Sequence, residues 1–410
     1  MLRPYLELPR AIYILCLGTL INRAGTFLIS FLTFYLKESL GFDTDFATFA
    51  MGVFGFGSIA AALTSGHLAD RIGRRTVMVG SLLGASAILM FFGRLTSPWA
   101  IITAIFLFAF ISDMYRPAAA AMIADIVEPV RRPAAYGLMY VTVNLGMAIS
   151  PLVGGYIAEY SYQWLFYGDA LTSSAYAAIL FMAIRETLPK RSAAAAAGEP
   201  SHHESPGEHL SIGATALRIL RDRPFVIFCL ATHLIGITYM QSHTTLPLHL
   251  GSLGFGPRAY GQIVSVNAAL IVLVQLPFTT YLLRFRREAV LVVSAVITAV
   301  GFGLTGLAVT GWQFVFTVVV WTIGEMMQSP YMQTTVADLA PKSLRGTYMG
   351  VFTMSFASAL MVGSPVGGQI LKHLGSGALW TACLLFGLTG AALYHSIRHD
   401  IRAPREAPIE

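Results

Sequence analysis

The chain has 410 residues, of which 55% are hydrophobic and 12% charged, and its formal net charge is +6. This composition is too apolar for a soluble globular protein of this length, so it argues against a soluble enzyme and predicts an all-α integral membrane protein. The positive charge reflects the sidedness of membrane loops and does not predict a nucleic-acid partner.

Twelve stretches are long and apolar enough to cross a bilayer, which requires about 20 residues each. They lie near 10–36, 46–69, 76–94, 98–124, 134–159, 163–186, 224–250, 258–284, 288–309, 312–339, 345–372 and 377–398. Most of the 27 lysines and arginines fall in the loops on one side, and basic loops remain cytoplasmic. We therefore predict twelve spans in the cell inner (plasma) membrane, with both termini cytoplasmic.

The two sets of six spans repeat each other at a spacing of 213 residues. Leu40-Gly41-Phe42 recurs as Leu253-Gly254-Phe255, for example. The predicted domains are an N-terminal six-helix bundle (1–186), a cytoplasmic linker (187–223) and a C-terminal six-helix bundle (224–410). The linker histidines lack metal-ligand spacing, so no metal site is predicted. Two similar halves form a cavity where they meet, which is typical of alternating-access transporters.

The loop between the second and third spans holds one carboxylate among three guanidiniums. It reads Gly66-His67-Leu68-Ala69-Asp70-Arg71-Ile72-Gly73-Arg74-Arg75. Basic anchoring at the cytoplasmic surface explains the charges, but the whole string resembles the signature loop of the major facilitator superfamily. The twelve-span plan is similar to that family over nearly the whole chain. The resemblance implies the major facilitator fold, with pseudo-symmetric bundles. It also implies that Asp70 binds the start of the eleventh span and that Arg71, Arg74 and Arg75 join a charge relay. Together these contacts hold the outward-facing state.

The fifth span contains a second stretch that is similar to a family pattern, the antiporter motif. It comprises Gly146, Pro151, Gly154 and Gly155, with Ser150 in place of the glycine before the proline. In efflux antiporters this stretch bends the fifth helix and seals it against the second half. A Pro-kinked packing helix is the alternative interpretation.

Four ionisable residues lie at similar depth inside predicted spans: Arg23, Asp113, Arg116 and Glu325. Ionised groups are costly there unless they pair or face water, so they indicate a pathway. Asp113 and Arg116 are three residues apart and share one helical face. A carboxylate released from its arginine takes up a proton, which predicts proton coupling at Asp113 first and at Glu325 second. The family resemblance supports a coupling role for Arg116, and a static ion-pair network is the alternative.

Two further groups of polar residues are candidates for gating and for binding. Paired salt bridges between the halves at the cytoplasmic gate are expected from Asp125, Arg131, Arg132, Asp338 and Arg345, with interfacial anchoring as the alternative. The candidates for lining an apolar substrate cavity are Asn22, Thr26, Tyr35, Tyr115, Asn144, Tyr239, Gln241, His243, Asn267, Gln328 and Tyr331.

No nucleotide-binding Walker loop is recognisable, so an ion gradient is expected to supply the energy for transport. The sequence predicts a secondary transporter similar to the drug:proton antiporters, exporting small lipophilic or cationic compounds. Its expected partners are a small-molecule substrate, protons as the coupling ion and lipid, with no other cofactor and a monomeric state. One alternative is a proton-coupled symporter that imports a peptide or another polar nutrient. The other is a non-transporting receptor or scaffold.

Overall fold

The computed structural model describes residues 7–128, 131–187, 212–282, 284–341 and 344–402. All regular structure in these ranges is helical, which confirms the all-α prediction. The helices up to residue 187 are α1 (Arg10–Ala24), α2 (Leu28–Phe34, continued by a π-helical segment, Tyr35–Ser39), α3 (Thr44–Ile72), α4 (Arg74–Phe92), α5 (Pro98–Asp113), α6 (Tyr115–Ile126), α7 (Arg132–Tyr160) and α8 (Tyr162–Ala183).

The helices after residue 211 repeat this order. They are α9 (Ile212–Arg221), α10 (Arg223–Thr244), α11 (Leu246–Ser252), α12 (Pro257–Leu282), α13 (Arg287–Thr305), α14 (Gly311–Leu339), α15 (Arg345–Ser396) and α16 (Arg398–Arg402). The short α9 lies at the end of the predicted linker. Most of the linker itself is outside the described residues.

Ten helical stretches of the described chain are long and apolar enough to cross a membrane. One of them, Thr347–Ser396, contains Gly375 with φ 84° and ψ 174°, so α15 consists of two arms joined by a bend. The 29-residue α14 is not among the ten. A membrane protein with many helical spans is thus established. The count of twelve, the cytoplasmic termini and the domain boundaries stay predictions.

Three of the membrane stretches are interrupted by a break in the helix. The break between α5 and α6 falls at Met114, and the one between α10 and α11 falls at Thr245. Pro117 follows the first of these breaks and Pro247 follows the second. Because proline has no N–H, neither residue can donate to the carbonyl four residues before it. The break between α1 and α2 follows Gly25. Interrupted helices are tolerated at membrane depth where they face protein or a cavity.

The molecule has two distinguishable ends, which we name by their residues. The inner end carries Arg74, Arg132 and Arg287 at the starts of α4, α7 and α13, and the outer end carries Gly41 and Gly254. Both of these glycines have positive φ, 72° and 84°, so the repeated Leu-Gly-Phe sequence forms a similar turn in each half. The internal repeat seen in the sequence is therefore also a repeat of backbone conformation.

Candidate functional site

Two adjoining chambers are present: the first lies between the two halves of the chain, and the second is lined by residues of the second half. The first chamber has a volume of about 470 Å³ and the second about 320 Å³. Both are lined by Gln333, Phe352 and Phe356, so they share a wall. The first chamber receives side chains from α1, α3, α5 and α8 on one side and from α10 and α15 on the other. Residues of both halves therefore contact whatever occupies it.

The first chamber contains the charged cluster that the sequence predicts, with one addition. Arg23, Asp113 and Arg116 line it together with Asp169 of α8. Arg116 Nε lies 3.7 Å from Asp113 Oδ1, and the Arg116 side chain is 61% exposed. The Pro117 break places this pair at a helix interruption, where the side chains face the chamber instead of lipid.

Asp169 was missed by the sequence analysis, although an aspartate inside an apolar span is a detectable signal. Its side chain is only 2% exposed, and it accepts a hydrogen bond from the backbone N–H of Leu28 at 3.4 Å. Leu28 is the first residue of α2, so the carboxylate satisfies an N–H that the break after α1 leaves unpaired. Asp169 thus binds the start of α2, just after the interruption, and Arg23 lies at the end of α1, just before it.

Glu325 lies in the second chamber and is bound only by neutral groups. Tyr239 Oη donates to Glu325 Oε1 at 3.2 Å, and Asn267 Nδ2 donates to Glu325 Oε2 at 2.7 Å. Within the described part of the chain, no lysine or arginine lies within ion-pair distance of this carboxylate. The four ionisable residues expected at similar depth are thus divided between the chambers: Glu325 lies apart from both arginines, and Asp169 joins the other three.

The predicted cavity residues separate into two groups. Those that line a chamber are Asn22, Thr26, Tyr115 and His243 in the first and Tyr239 and Gln328 in the second, while Asn267 contacts Glu325. The others do not line either chamber: Tyr35, Asn144, Gln241 and Tyr331. Tyr35 packs among aromatic rings, with Phe166 at 4.8 Å between centroids, and Gln241 donates to the Gly363 carbonyl at 2.9 Å. Asn144 donates to the Tyr140 carbonyl of its own helix, and Tyr331 lies in a hydrophobic core.

The signature loop forms a compact set of contacts within the first half. Arg74 Nε lies 3.1 Å from Asp125 Oδ2, and Arg74 N donates to Glu186 Oε1 at 2.8 Å. The Arg75 guanidinium lies 4.7 Å from the centre of the Phe181 ring, and Arg71 is exposed. Glu186 accepts N–H groups at the start of α4, where a carboxylate is favoured by the helix dipole. The side chain of Asp70 is outside the described part of the structure.

The salt bridges expected between the halves at the inner end are instead formed within each half. Asp125 pairs with Arg74, and Asp338 pairs with Arg287 at 2.5 Å. Both pairs have the same 213-residue offset, so the structure repeats one ion pair twice. The inter-half expectation is wrong for these two carboxylates because each acid reaches the start of a neighbouring helix in its own half.

The two arginines between α6 and α7 bind groups of the first half. Arg131 pairs with Glu7 at 3.5 Å, and Arg132 Nη2 donates to the Ala124 carbonyl at 2.8 Å. Arg132 therefore satisfies a carbonyl at the end of α6. The side chain of Arg345, the repeat partner in the second half, is outside the described part.

The motif of the fifth span contacts both halves of the molecule. Gly146 packs on the backbone at Arg23, and Gly154 packs on Phe31. A Cβ added at Gly155 would lie 3.0 Å from Arg258 Cα, and one added at Gly261 would lie 2.1 Å from the Pro151 carbonyl oxygen. Helix α7 continues through Pro151, and its small residues let α7 and α12 approach closely.

Ion pairs join the two halves at the outer end. Lys372 Nζ lies 3.4 Å from Asp43 Oδ2 and also contacts Asp45, and Arg258 lies 3.6 Å from Glu159. These pairs were not predicted from the sequence. Close packing of α3 on α15 and of α7 on α12 lies directly beneath them. The structure thus shows the halves in contact at the outer end.

Comparison with known proteins identifies relatives over nearly the whole chain. The family described as Major Facilitator Superfamily matches residues 15–364 and, in a second match, 228–408. An uncharacterized transporter of that type from Bacillus subtilis, YttB, is 28% identical and covers 94% of each chain. A Na(+), Li(+), K(+)/H(+) antiporter of Planococcus maritimus is 24% identical and covers 89% of each chain. Multidrug resistance protein MdtH of Edwardsiella ictaluri is 21% identical and covers 87% of this chain and 85% of that protein.

Solved structures show the same architecture. A transporter of the POT family in complex with a thioalcohol-conjugated peptide superposes with a TM-score of 0.80, over 96% of this chain and 97% of the other. Its sequence is 15% identical, so the likeness concerns the fold.

Proposed function

The chain belongs to the Major Facilitator Superfamily, and on that premise we propose that it exports small lipophilic or cationic compounds in exchange for protons. It is a multi-pass membrane transporter and not an enzyme. The contacts between the halves at the outer end, together with the first chamber, which residues of both halves line, fit a mechanism in which the halves rock about that chamber.

The observation that carries the proposal is the environment of Glu325. Its carboxylate lies in the second chamber, which adjoins the chamber between the halves, and its two described partners, Tyr239 and Asn267, are neutral hydrogen-bond donors. An ionised carboxylate that is removed from water requires neutralisation by a cation or by a proton. Glu325 therefore provides one negative charge for which a cationic substrate and a proton compete.

Competition for one carboxylate produces exchange. When a cationic compound binds at Glu325 it displaces the proton, and when a proton returns it displaces the compound. If the transporter changed conformation with neither ligand bound, the charge of Glu325 would be uncompensated in a closed state, which is costly. Coupling between the two movements follows from this electrostatic requirement.

Asp113 takes the second place in this mechanism, which reverses the order that the sequence suggested. Its carboxylate already has a cationic neighbour, Arg116, and shares the first chamber with Arg23. We assign it to positioning Arg116 and to proton transfer only after that pair separates.

The direction of transport rests on the relatives' names and on the cationic preference of Glu325. A cation/proton antiporter and a multidrug resistance protein are among the relatives at 21–24% identity. Uptake of a peptide is the alternative, because the similar POT family structure holds a conjugated peptide. That similarity concerns the fold alone, so it does not favour uptake.

The test uses inside-out membrane vesicles that contain the full-length protein and an acidic lumen. Ethidium, a lipophilic cation, is added outside, and lumenal pH and ethidium uptake are recorded together. Export predicts ethidium accumulation coupled to proton loss from the lumen. Sodium and potassium chloride form further arms of the same assay.

Variants separate coupling from folding. Glu325→Gln should abolish proton loss on ethidium addition, and Asp113→Asn should reduce it. Asp400→Asn removes an exposed carboxylate in α16 and serves as the matched control. The proposal is wrong if Glu325→Gln exchanges ethidium for protons as the wild type does. A receptor or scaffold would show no exchange in any variant.

A further inference from the structure

The first chamber holds two guanidiniums that export of a simple cation does not require. Arg23 and Arg116 both line it. Within the described part of the chain Arg23 forms no ion pair, and its buried Nε has no hydrogen-bond partner. A buried donor without an acceptor is destabilising, so this guanidinium favours the arrival of a ligand oxygen.

The second guanidinium is only weakly engaged. The separation of 3.7 Å between Arg116 Nε and Asp113 Oδ1 is longer than the 2.7–2.9 Å or so of a charge-assisted hydrogen bond. Most of the Arg116 side chain is exposed to the chamber. Guanidinium groups present parallel N–H donors that match the two oxygens of a carboxylate. An incoming carboxylate therefore competes well for Arg116.

The first chamber also holds the carboxylates of Asp113 and Asp169, so its formal charges balance, whereas the second chamber holds the single carboxylate of Glu325. Glu325 has only neutral partners there, and apolar rings of Phe352 and Phe356 form the wall that both chambers share. Helix α10 sends His243 into the first chamber and Tyr239 into the second, one helical turn apart. A ligand that occupies both chambers thus passes over an apolar surface between the guanidinium groups of the first and the carboxylate of the second.

Resting on the export function proposed above, we propose that the preferred cargo is amphoteric, with a carboxylate bound at Arg23 and Arg116 and an ammonium group bound at Glu325. The carboxylate site belongs to the first half and the ammonium site to the second. Such a cargo joins the halves through two ionic contacts, whereas a simple cation contacts only one half by charge.

The experiment measures binding to the purified full-length protein by titration calorimetry. The probes are 6-aminohexanoate, 8-aminooctanoate and 12-aminododecanoate, each compared with the alkylamine and the alkanoate of the same length. At one or more lengths the amino acid should bind at least about tenfold more tightly than both single-charge compounds, because a second charged contact adds on the order of one factor of ten or more.

Variants assign each end of the probe. Arg23→Gln should reduce affinity for the amino acid and the alkanoate about tenfold and leave the alkylamine unchanged. Glu325→Gln should reduce affinity for the amino acid and the alkylamine about tenfold and leave the alkanoate unchanged. Arg94→Gln is the matched control, since Arg94 is exposed at the outer end and contacts the Phe91 ring. If Arg23→Gln does not fold, Arg116→Gln replaces it, and the comparison of probes on the wild type requires no variant.

The outcomes distinguish this inference from the export function. If no amino acid binds more tightly than its alkylamine, or if none of the probes binds, the amphoteric site is excluded, while ethidium exchange in vesicles still decides export. If ethidium exchange fails but the amino acid is preferred and Arg23→Gln removes that preference, the site stands and the export function falls.

Discussion

At the scale of single residues, buried charge in this protein is compensated in different ways at different positions. Asp169 accepts a backbone N–H at the start of α2, Asp113 lies beside an arginine, and Glu325 has only neutral donors. The first arrangement stabilises a helix interruption. The last leaves a charge for a ligand or a proton to neutralise, which is why we assign exchange to Glu325.

Asp169 offers a direct test of its structural role. Asp169→Leu should lower the free energy of unfolding by about 1–3 kcal/mol, because the Leu28 N–H loses its acceptor in a buried site. Asp169→Asn keeps an oxygen acceptor and should cost less. Thermal and denaturant unfolding of the purified protein measure both, with Asp400→Asn as the exposed control. A leucine variant as stable as the wild type would show that Asp169 does not stabilise the start of α2.

At the scale of helices, small residues decide which pairs approach closely. Gly261 of α12 faces the Pro151 carbonyl of α7, and Gly55 of α3 faces the backbone at Met361 of α15. Each of these pairs joins one half to the other; the Gly261 pair lies near the outer end, and Gly55 lines the first chamber. Gly261 therefore determines how tightly the outer end closes, whereas Gly80 of α4 has no atom near its missing side chain.

Gly261→Ala should shift the protein toward an open outer end, because the added Cβ would lie 2.1 Å from the Pro151 oxygen. Spin labels at the exposed positions of Trp99 and Trp312, at the outer starts of α5 and α14, report the separation of the halves. The long-distance population should increase. Gly80→Ala should leave the distances unchanged and stabilise its helix by about 0.5–1 kcal/mol. Unchanged distances in Gly261→Ala would show that α7 and α12 do not limit opening.

At the scale of the whole molecule, the two ends use ion pairs differently. Pairs at the inner end, Arg74 with Asp125 and Arg287 with Asp338, lie within one half. Pairs at the outer end, made by Lys372 and Arg258, lie between halves. Only the second kind is broken when the halves separate, so only it biases the conformational equilibrium directly.

Removing the outer ion pairs should favour the outward-open state modestly. Exposed pairs contribute little each, so Lys372→Met with Arg258→Met should raise the open population by about a few-fold. The same spin-label distances measure it, and added salt should shift the wild type in the same direction. Lys37→Met is the control, because Lys37 at the same end contacts Thr44 of its own half. No shift in the double variant would exclude these pairs as a closing force.

The outer end should also respond to strong acid. The backbone N–H of Phe46, and then Lys372, holds the pKa of Asp43 below its usual value. Its stabilising charge is therefore fully present above the ordinary aspartate pKa of about 4 and is lost as pH falls through the lowered value. Asp43→Asn should therefore increase the long-distance spin-label population from pH 5 to 8, where the charge is present in the wild type, and should lose part of the wild type's response to acid below that range. The groups that face Asp43 are Asp45 and Lys372.

The sequence predicted the helical membrane fold, the repeat and the intramembrane charges at Arg23, Asp113, Arg116 and Glu325. The helix breaks at Met114 and Thr245 were not predicted, although Pro117 and Pro247 are visible in the sequence. The sequence also did not predict that Asp169 joins the cluster or that Tyr35 and Gln241 pack away from the chambers. Which face of a helix meets a chamber depends on the rotation of that helix against its neighbours, and the spacing of residues within one span does not record it.

By itself the sequence determined that the chain is a membrane protein of two similar halves, because a helix in lipid must satisfy its backbone within its own segment and must be apolar along its length. Both conditions are local. Only the tertiary structure decided that Asp125 pairs with Arg74 inside one half, that Lys372 crosses to Asp43, and that Glu325 has no cationic partner in the described chain. Ion pairing requires two distant segments to approach within a few ångströms, and that approach is set by helix packing.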